Sequence, residues 1–461
     1  MASANNGTVT HGGATHEVNQ YYDSVVVQLP GTGHTRTTKY CFLSRVDPWD
    51  DPNTPTNEEL TPPSVSLSQK NIKDVYKNMF IIKRVYPQDM RPMVDRIDWS
   101  ANTVYDYYRD DIDIIERDSS GRMKYKHYVK NHYDQVFKCL WNNNGALSTD
   151  EPYFEPGYMS SNLVYYGGDG YKWIYMYTID AAIKQKFLTE SWMPVILANT
   201  AGLGANTVNS GNIPIIQLHD GGTNYYATNT TVKITGANTA ECIAYATCAN
   251  GKITDIIVTN TGSNYVSANV VITSPTGTGA VAYANVSTVG GHGTDPFEEF
   301  GCQNIMVTTT FTRDVDGVLP TDIKYRQIGF VINPTAKSSY PWQCEKPTYS
   351  CTTDVTVANG FDSYISDEIV YQGSSLDTAT FKGTCLSFGT GSNLIKIINT
   401  EGTPANGIPI IGATSGTTRV LLSYSEPDFI PYSGYITYIE NRTGTQRSND
   451  GSEQVRLIVG F

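Results

Sequence analysis

The side chains that could do chemistry are few and scattered. The densest group is Asp110, Asp111 and Asp113, with Glu116 close behind. That spacing would present carboxylates to a calcium ion or supply the acid and base of a sugar hydrolase. A calcium loop wants glycine at its sixth position, and counting from Asp111 that position is Glu116, so the cluster reads as a solvated, charged turn. Asp50 and Asp51 beside Trp49 have the residue types of a sugar platform, an indole to stack on a pyranose face and carboxylates to take hydroxyls. A buried tryptophan closing a turn accounts for them more simply. The seven histidines are dispersed. His16-Glu17 lacks a second histidine four residues after the first, so the zincin pattern fails, and His127 and His132 are an odd number apart, which separates them on a strand. The pairs Cys242/Cys248 and Cys344/Cys351 fit no common zinc spacing, and the sequence leaves open whether either pair is bonded. Cys41, Cys139 and Cys385 stand in apolar contexts and read as buried thiols, which fits a reducing assembly compartment. No phosphate loop, dinucleotide fingerprint or nucleophile elbow is present. No catalytic, cofactor-binding or metal-binding residue is assigned, and the expectation is a protein without enzymatic activity or cofactor.

The bulk properties point the same way. The chain has 461 residues, natural for two to four domains, with 33 Lys+Arg against 45 Asp+Glu and a net charge of −12. Gripping nucleic-acid phosphates is disfavoured at that balance, and proteins are the expected partners. With 39% hydrophobic residues and 32 Tyr against 14 Phe there is ample material for cores. The first residues carry no basic and apolar leader and nowhere do eighteen apolar residues run together, so a soluble, unprocessed chain is expected. The acceptor patterns beginning at Asn6, Asn229, Asn285 and Asn441 then read as Asn/Thr-rich turns.

The elements are mainly strands. Residues 1–20 are polar and small, a flexible arm, and 24–29 and 39–44 read as β-strands. Ile72, Val75, Tyr76, Met79 and Phe80 follow one helical stripe that Ser68 could cap. Tyr171, Trp173, Tyr175 and Tyr177 alternate along a strand and predict four aromatics on one face. Asp180 caps a short helix carrying Ile183 and Phe187, which Trp192-Met193-Pro194 ends. Strands are further expected within 307–311, 324–332, 368–371, 394–398, 420–424, 435–439 and 454–459. The last of these, near the chain end at Phe461, is expected to be tied into a sheet.

Residues 215–290 contain a repeat. Gly222-Thr-Asn-Tyr225 answers to Gly262-Ser-Asn-Tyr265, Val232-Lys-Ile-Thr235 to Val270-Val-Ile-Thr273, and Ala244-Tyr-Ala246 to Ala282-Tyr-Ala284. Two copies are too few for a solenoid and predict a small pseudo-symmetric β domain. The expected fold is therefore mainly β, with several antiparallel sandwich- or barrel-like domains, few short helices and two small inserted modules. The arm (1–20) precedes a core over 21–214; the repeat module occupies 215–290; the core continues over 291–355. A second small module spans 356–425, and 426–461 closes the core.

Several segments together resemble the baseplate wedge protein family known as gene product eight of T-even-type contractile-tailed bacteriophages. Arg45-Val-Asp-Pro-Trp49 is similar to its Arg-x-x-Pro-Trp, and the stretch from Asp74-Val-Tyr to Asp98-Trp99 to its helix, basic strand and Asp-Trp. Gly168-Asp-Gly-Tyr-Lys-Trp-Ile-Tyr-Met-Tyr-Thr-Ile179 is similar to its Gly-Asp-Gly-Tyr-x-Trp strand, and Tyr325-Arg-Gln-Ile328 with Asn333-Pro334 to its Arg-Gln-Ile and Asn-Pro. Gly434 through Ile439-Glu-Asn-Arg442 and the final Phe461 complete the series. The 215–290 and 360–425 stretches have no counterpart in the short T-even form. The resemblance implies a virion structural protein of the tail baseplate, a homodimer bound to other wedge proteins, assembled in the host cytoplasm, without catalysis, nucleic-acid binding or membrane insertion. A host-recognition adhesin or carbohydrate-binding tail protein is the alternative, because Gly/Thr/Asn-rich β repeats suit such proteins.

Overall fold

The computed structural model describes residues 38–47, 49, 62–65, 68–119, 121–155, 163–196, 210–312, 323–339, 343–447 and 452–460. The arm over 1–20, the strand expected at 24–29, Asp50, Asp51 and Phe461 lie outside them. The chain is mainly β, with several antiparallel sheets, one closed six-stranded barrel and three short α-helices among the described residues. It divides into two compact units, residues 1–90 with 307–461, and residues 91–306.

The first unit is organised by a five-stranded sheet in the order Thr348–Ser350, Met79–Val85, Lys39–Ser44, Lys324–Ile332, Tyr435–Gln446. Lys39–Ser44 lies at its centre and all six residues are buried, as expected of a strand covered on both faces. Helix α1 (Gln69–Asn78) starts where Ser68 Oγ accepts the Asn71 N–H at 3.3 Å and buries Val75 and Tyr76. The apolar stripe does not run on through Met79 and Phe80 as the spacing predicts. Those residues open the strand Met79–Val85, because ladder bonds to Lys39–Ser44 on one side and Thr348–Ser350 on the other replace one more helical turn. The sheet packs Tyr40, Phe42, Ile82, Val331 and Tyr349 around Tyr76 and Phe429.

The same unit carries the barrel, closed in the order Thr353–Val357, Leu394–Gly402, Phe381–Gly389, Ile369–Gln372, Pro409–Gly412, Thr418–Ser425. Its lumen is filled by Val355, Val370, Phe381, Cys385, Ile397 and Leu421, as a barrel this small requires. The one amide inside, Gln372, donates to Ala405 O and Ile408 O and accepts from Ala405 N, so its burial leaves no polar atom unmet.

In the second unit a four-stranded sheet runs Tyr128–Lys130, Gln135–Trp141, Lys172–Thr178, Val164–Tyr166. Tyr171, Trp173 and Tyr175 share one core with Phe137 and Phe154, Tyr171 stacked on Trp173 at 5.5 Å. Tyr177 does not join them. Val136 pairs with Tyr177 and Phe137 with Tyr175, so Met176 is an extra residue, and beyond this bulge Tyr177 turns to the opposite core beside Met176. Helix α2 (Ala181–Phe187) is capped by Asp180 Oδ1, which accepts the Ile183 N–H at 2.8 Å. It closes at Phe187, and Trp192–Pro194, expected as its stop, is instead a separate strand paired with residues 93–95.

The repeat explains the six strands between Gln217 and Tyr283. Thr231–Thr235 and Asn269–Thr273, equivalent in the two copies, pair with each other, and the equivalent residues Lys233 and Val271 are direct partners. A local twofold axis must pass between them. The first strand of each copy, Gln217–Thr223 or Lys252–Ser263, then pairs with the last strand of the other, Thr278–Tyr283 or Ala240–Ala249. By exchanging strands the two copies close around a shared core of Tyr225, Ile234, Cys242, Ile256 and Tyr265, so no third copy is needed. The turns match as well. Gly222 and Gly262 have φ of 63° and 64°, Asn224 and Asn264 both 57°. A Cβ at either glycine would lie 2.6 or 2.7 Å from the ring of Tyr225 or Tyr265. Gly222→Ala and Gly262→Ala are each expected to destabilise this unit by about 2 kcal/mol or more, left-handed strain adding to the clash. Chemical denaturation measures the loss, and near-equal values are the signature of the twofold.

Candidate functional site

The acidic cluster of the sequence does not converge. Arg109 clamps Asp111 through Nε and Nη2 at 2.8 and 2.6 Å, a hydrogen bond that holds the Asp111 carboxyl below its ordinary range. Asp110 turns away to accept the Val286 N–H at 2.9 Å, Asp113 accepts from Ile115 N, and Glu116 pairs with Lys124 at 2.8 Å. Each carboxylate is thus committed to a separate partner, and only that of Asp110 lies far away in the chain. Among the described residues no three His, Cys, Asp or Glu side chains stand close enough to hold a metal ion. Trp49 donates from its indole nitrogen to Arg442 O at 2.9 Å. His132 is exposed and pairs with Glu151, whereas His127 is fully buried. All eight cysteines are free thiols; burial pushes Cys242 up to about 11 and Cys344 up to about 12, which makes them poor nucleophiles. The amides of Asn229, Asn285 and Asn441 are hydrogen-bonded to Thr276, Tyr108 and Pro63.

The structure instead brings together a buried polar centre that local spacing does not announce. Lys138 lies in the middle of the strand Gln135–Trp141 with its side chain wholly inaccessible. Its Nζ donates to Glu299 Oε2 at 2.7 Å and sits 4.1 Å above the Tyr108 ring. Glu299 ends helix α3 (Pro296–Glu299); its Oε1 accepts the Gly293 N–H at 2.6 Å and its Oε2 lies 3.0 Å from His292 Nδ1. Burial alone would raise the Glu299 carboxyl, but Lys138 and His292 outweigh it and bring it down to about 2. Burial, reinforced by the Lys138 charge, lowers both His292 and His127, the latter to about 3. Every charge here is matched and sealed from solvent, so the centre locks residues 285–302 onto the sheet rather than offering a group for reaction. The one signal for it in the sequence is a lone lysine inside the apolar run Val136-Phe-Lys-Cys-Leu140.

A second group is open to solvent. Arg96, Asp98, Lys130, Asp134 and Lys184 alternate in sign around a cavity of about 360 Å³ that Trp99 and Leu188 also line. Arg96 grips Asp98 at 2.7 Å, Lys130 lies 3.3 Å from Asp98 and 3.4 Å from Asp134, and Lys184 reaches Asp134 at 2.7 Å.

The motif residues themselves form two hydrogen-bonded knots. In the first unit Trp49 bonds Arg442 O, Gln327 Nε2 donates to Asn441 Oδ1 at 2.8 Å, and Tyr76 Oη donates to Ser433 O at 3.0 Å. In the second, Trp99 Nε1 donates to Ser148 Oγ, which donates to Asp169, and Asp169 also accepts from Thr149, Asp150 and Tyr171 N–H groups. These residues tie strands and turns together. No protein-family model matches this chain, and no curated protein matches it.

Proposed function

We propose that this chain is a structural component of a phage tail baseplate wedge, of the gene product eight type. It scaffolds neighbouring wedge proteins, acts as a homodimer without catalysis, and takes part in baseplate assembly and in the rearrangement that accompanies sheath contraction. The observation that carries the reading is the ordered series of motifs from Arg45 to Arg442, whose members, far apart in the chain, are knotted together within each unit by Trp49, Gln327 and Asn441 or by Trp99 and Asp169. Residues spent in this way hold a rigid body in shape, which is what a scaffold requires. The committed acidic residues and the sealed charge centre supply no accessible reacting group, and Tyr-rich, weakly charged surfaces suit large protein interfaces. No helix among the described residues is long and apolar enough to cross a membrane.

Immunogold electron microscopy with antibody to this chain, on intact and contracted particles, tests the reading. A ring of label at the tail end, sixfold in averaged views and retained after contraction, is expected. Label on distal fibres would transfer support to the adhesin, and unlabelled particles would overturn the proposal.

A further inference from the structure

The strand Tyr435–Gln446 is the last of its sheet and is laddered on one side only, to Lys324–Ile332. Its middle is covered on the outside, where Trp49 bonds Arg442 O and Asn441 Nδ2 donates to Pro63 O, both at 2.9 Å. Over residues 435–440 no described residue bonds the outer edge. Backbone N–H and C=O groups with no outer partner among the described residues are a template for a further strand.

The open stretch is complementary to itself. Val331 pairs with Ile436 and Phe330 with Tyr438, so Thr437 is a bulged residue. The bulge sets Ile436 and Ile439, three positions apart, on the same core-facing side. Tyr438 faces the other side, its ring 5.8 Å from Phe330 and its hydroxyl donating to Glu440 at 3.0 Å. Tyr435 is 77% exposed. About a twofold axis between Thr437 and Tyr438, two such stretches run antiparallel with Ile436 opposite Ile439 on the core side and Tyr435 opposite Glu440 on the other, each face continuing into its like. The only charge in the stretch, Glu440, is offset by Arg442 at 2.8 Å, so identical edges meet without repulsion.

We infer that two copies of this chain join through their 435–440 edges, making one continuous sheet across the dimer. This gives the dimer of the proposed function its surface, and it rests on that reading for the expectation that two copies associate. The test is sedimentation equilibrium of the full chain from nanomolar to high micromolar concentration. A species of twice 50.7 kDa is expected. Tyr435→Glu places a carboxylate opposite Glu440 of the partner subunit at both ends of the contact and weakens the dimer about tenfold, whereas Tyr435→Lys leaves it as tight or tighter. The double variant Tyr435→Glu/Glu440→Lys restores it. Because residue 435 is exposed, unchanged circular dichroism is expected for the single variants. A chain that stays monomeric throughout, a dimer indifferent to the sign of the charge at 435, or an edge filled by a different co-purifying chain would each overturn the inference. Sixfold label at the tail end with a charge-indifferent dimer would remove this surface and leave the wedge reading standing, and a monomeric chain with the same label would remove this surface together with that reading's homodimer; unlabelled particles with a charge-sensitive dimer would sink the wedge reading and keep the surface.

Discussion

Lys138→Met lowers the unfolding free energy of the 91–306 unit by about 3–5 kcal/mol. The substitution is nearly equal in shape, so it opens little space. What it removes is the ammonium that Glu299 Oε2 meets at 2.7 Å. Glu299 is then a carboxylate in a dry site with only the Gly293 N–H and His292 beside it. Coulombic attraction in such a site is large, but so is the desolvation both charges have already undergone, and removing one partner leaves the other's penalty uncompensated. The double variant Lys138→Met/Glu299→Leu removes both charges and is expected to recover at least half of the loss, the remainder being the Gly293 N–H that loses its acceptor. A double-mutant cycle by chemical denaturation measures this. Additive losses would show that the two side chains are not coupled.

Acid weakens the same region well before ordinary carboxylates titrate. His127 is wholly buried between Tyr128 and Phe300, its Nδ1 lying 3.3 Å from Tyr125 O, with Lys138 and Glu299 the charges that face it. Burial first and the Lys138 charge second hold it neutral down to about 3, against 6.5 for the free side chain. Between those values the unfolded chain binds a proton that the folded chain refuses. The stability His127 contributes is therefore complete above pH 6.5 and is lost as pH falls toward 3, at about 1.4 kcal/mol per pH unit. His292, lowered for the same reasons, adds to the slope. The depressed Glu299 contributes in the same direction further down: its stabilisation is whole above pH 4.5 and is lost as pH falls through about 2. Denaturation midpoints measured from pH 7 to 4 are expected to fall steadily, and His127→Phe to flatten the slope by about one proton while changing the neutral-pH value by less than about 2 kcal/mol. An unchanged slope in His127→Phe would mean that His127 already titrates normally in the folded chain.

Features whose partners lie within a few residues were legible in the sequence. Ser68 and Asp180 cap their helices because the N–H groups they accept belong to Asn71 and Ile183, three positions on. The Gly-x-Asn-Tyr turns could be recognised twice because a left-handed glycine and asparagine are demanded by the local backbone. The strand Lys324–Ile332 was legible from its β-branched and aromatic alternation, and the mainly β class from many such runs. Even where composition spoke clearly, the alternation 171–177 did not reveal the bulge at Met176, since an extra residue is set by the neighbouring strand's register.

By itself, then, the sequence determined the class of fold, the repeat with its turns and the helix starts, all of which depend on local backbone preference and on residue type. Tertiary structure alone decided that the repeat closes by exchanging strands and that α1 stops at Asn78. It also decided that Lys138 finds Glu299 at a distance of 161 residues and that Trp49 finds Arg442 at 393. A buried charge or an indole N–H must be satisfied by something, but which group satisfies it depends on chain segments brought together only when the apolar faces have packed.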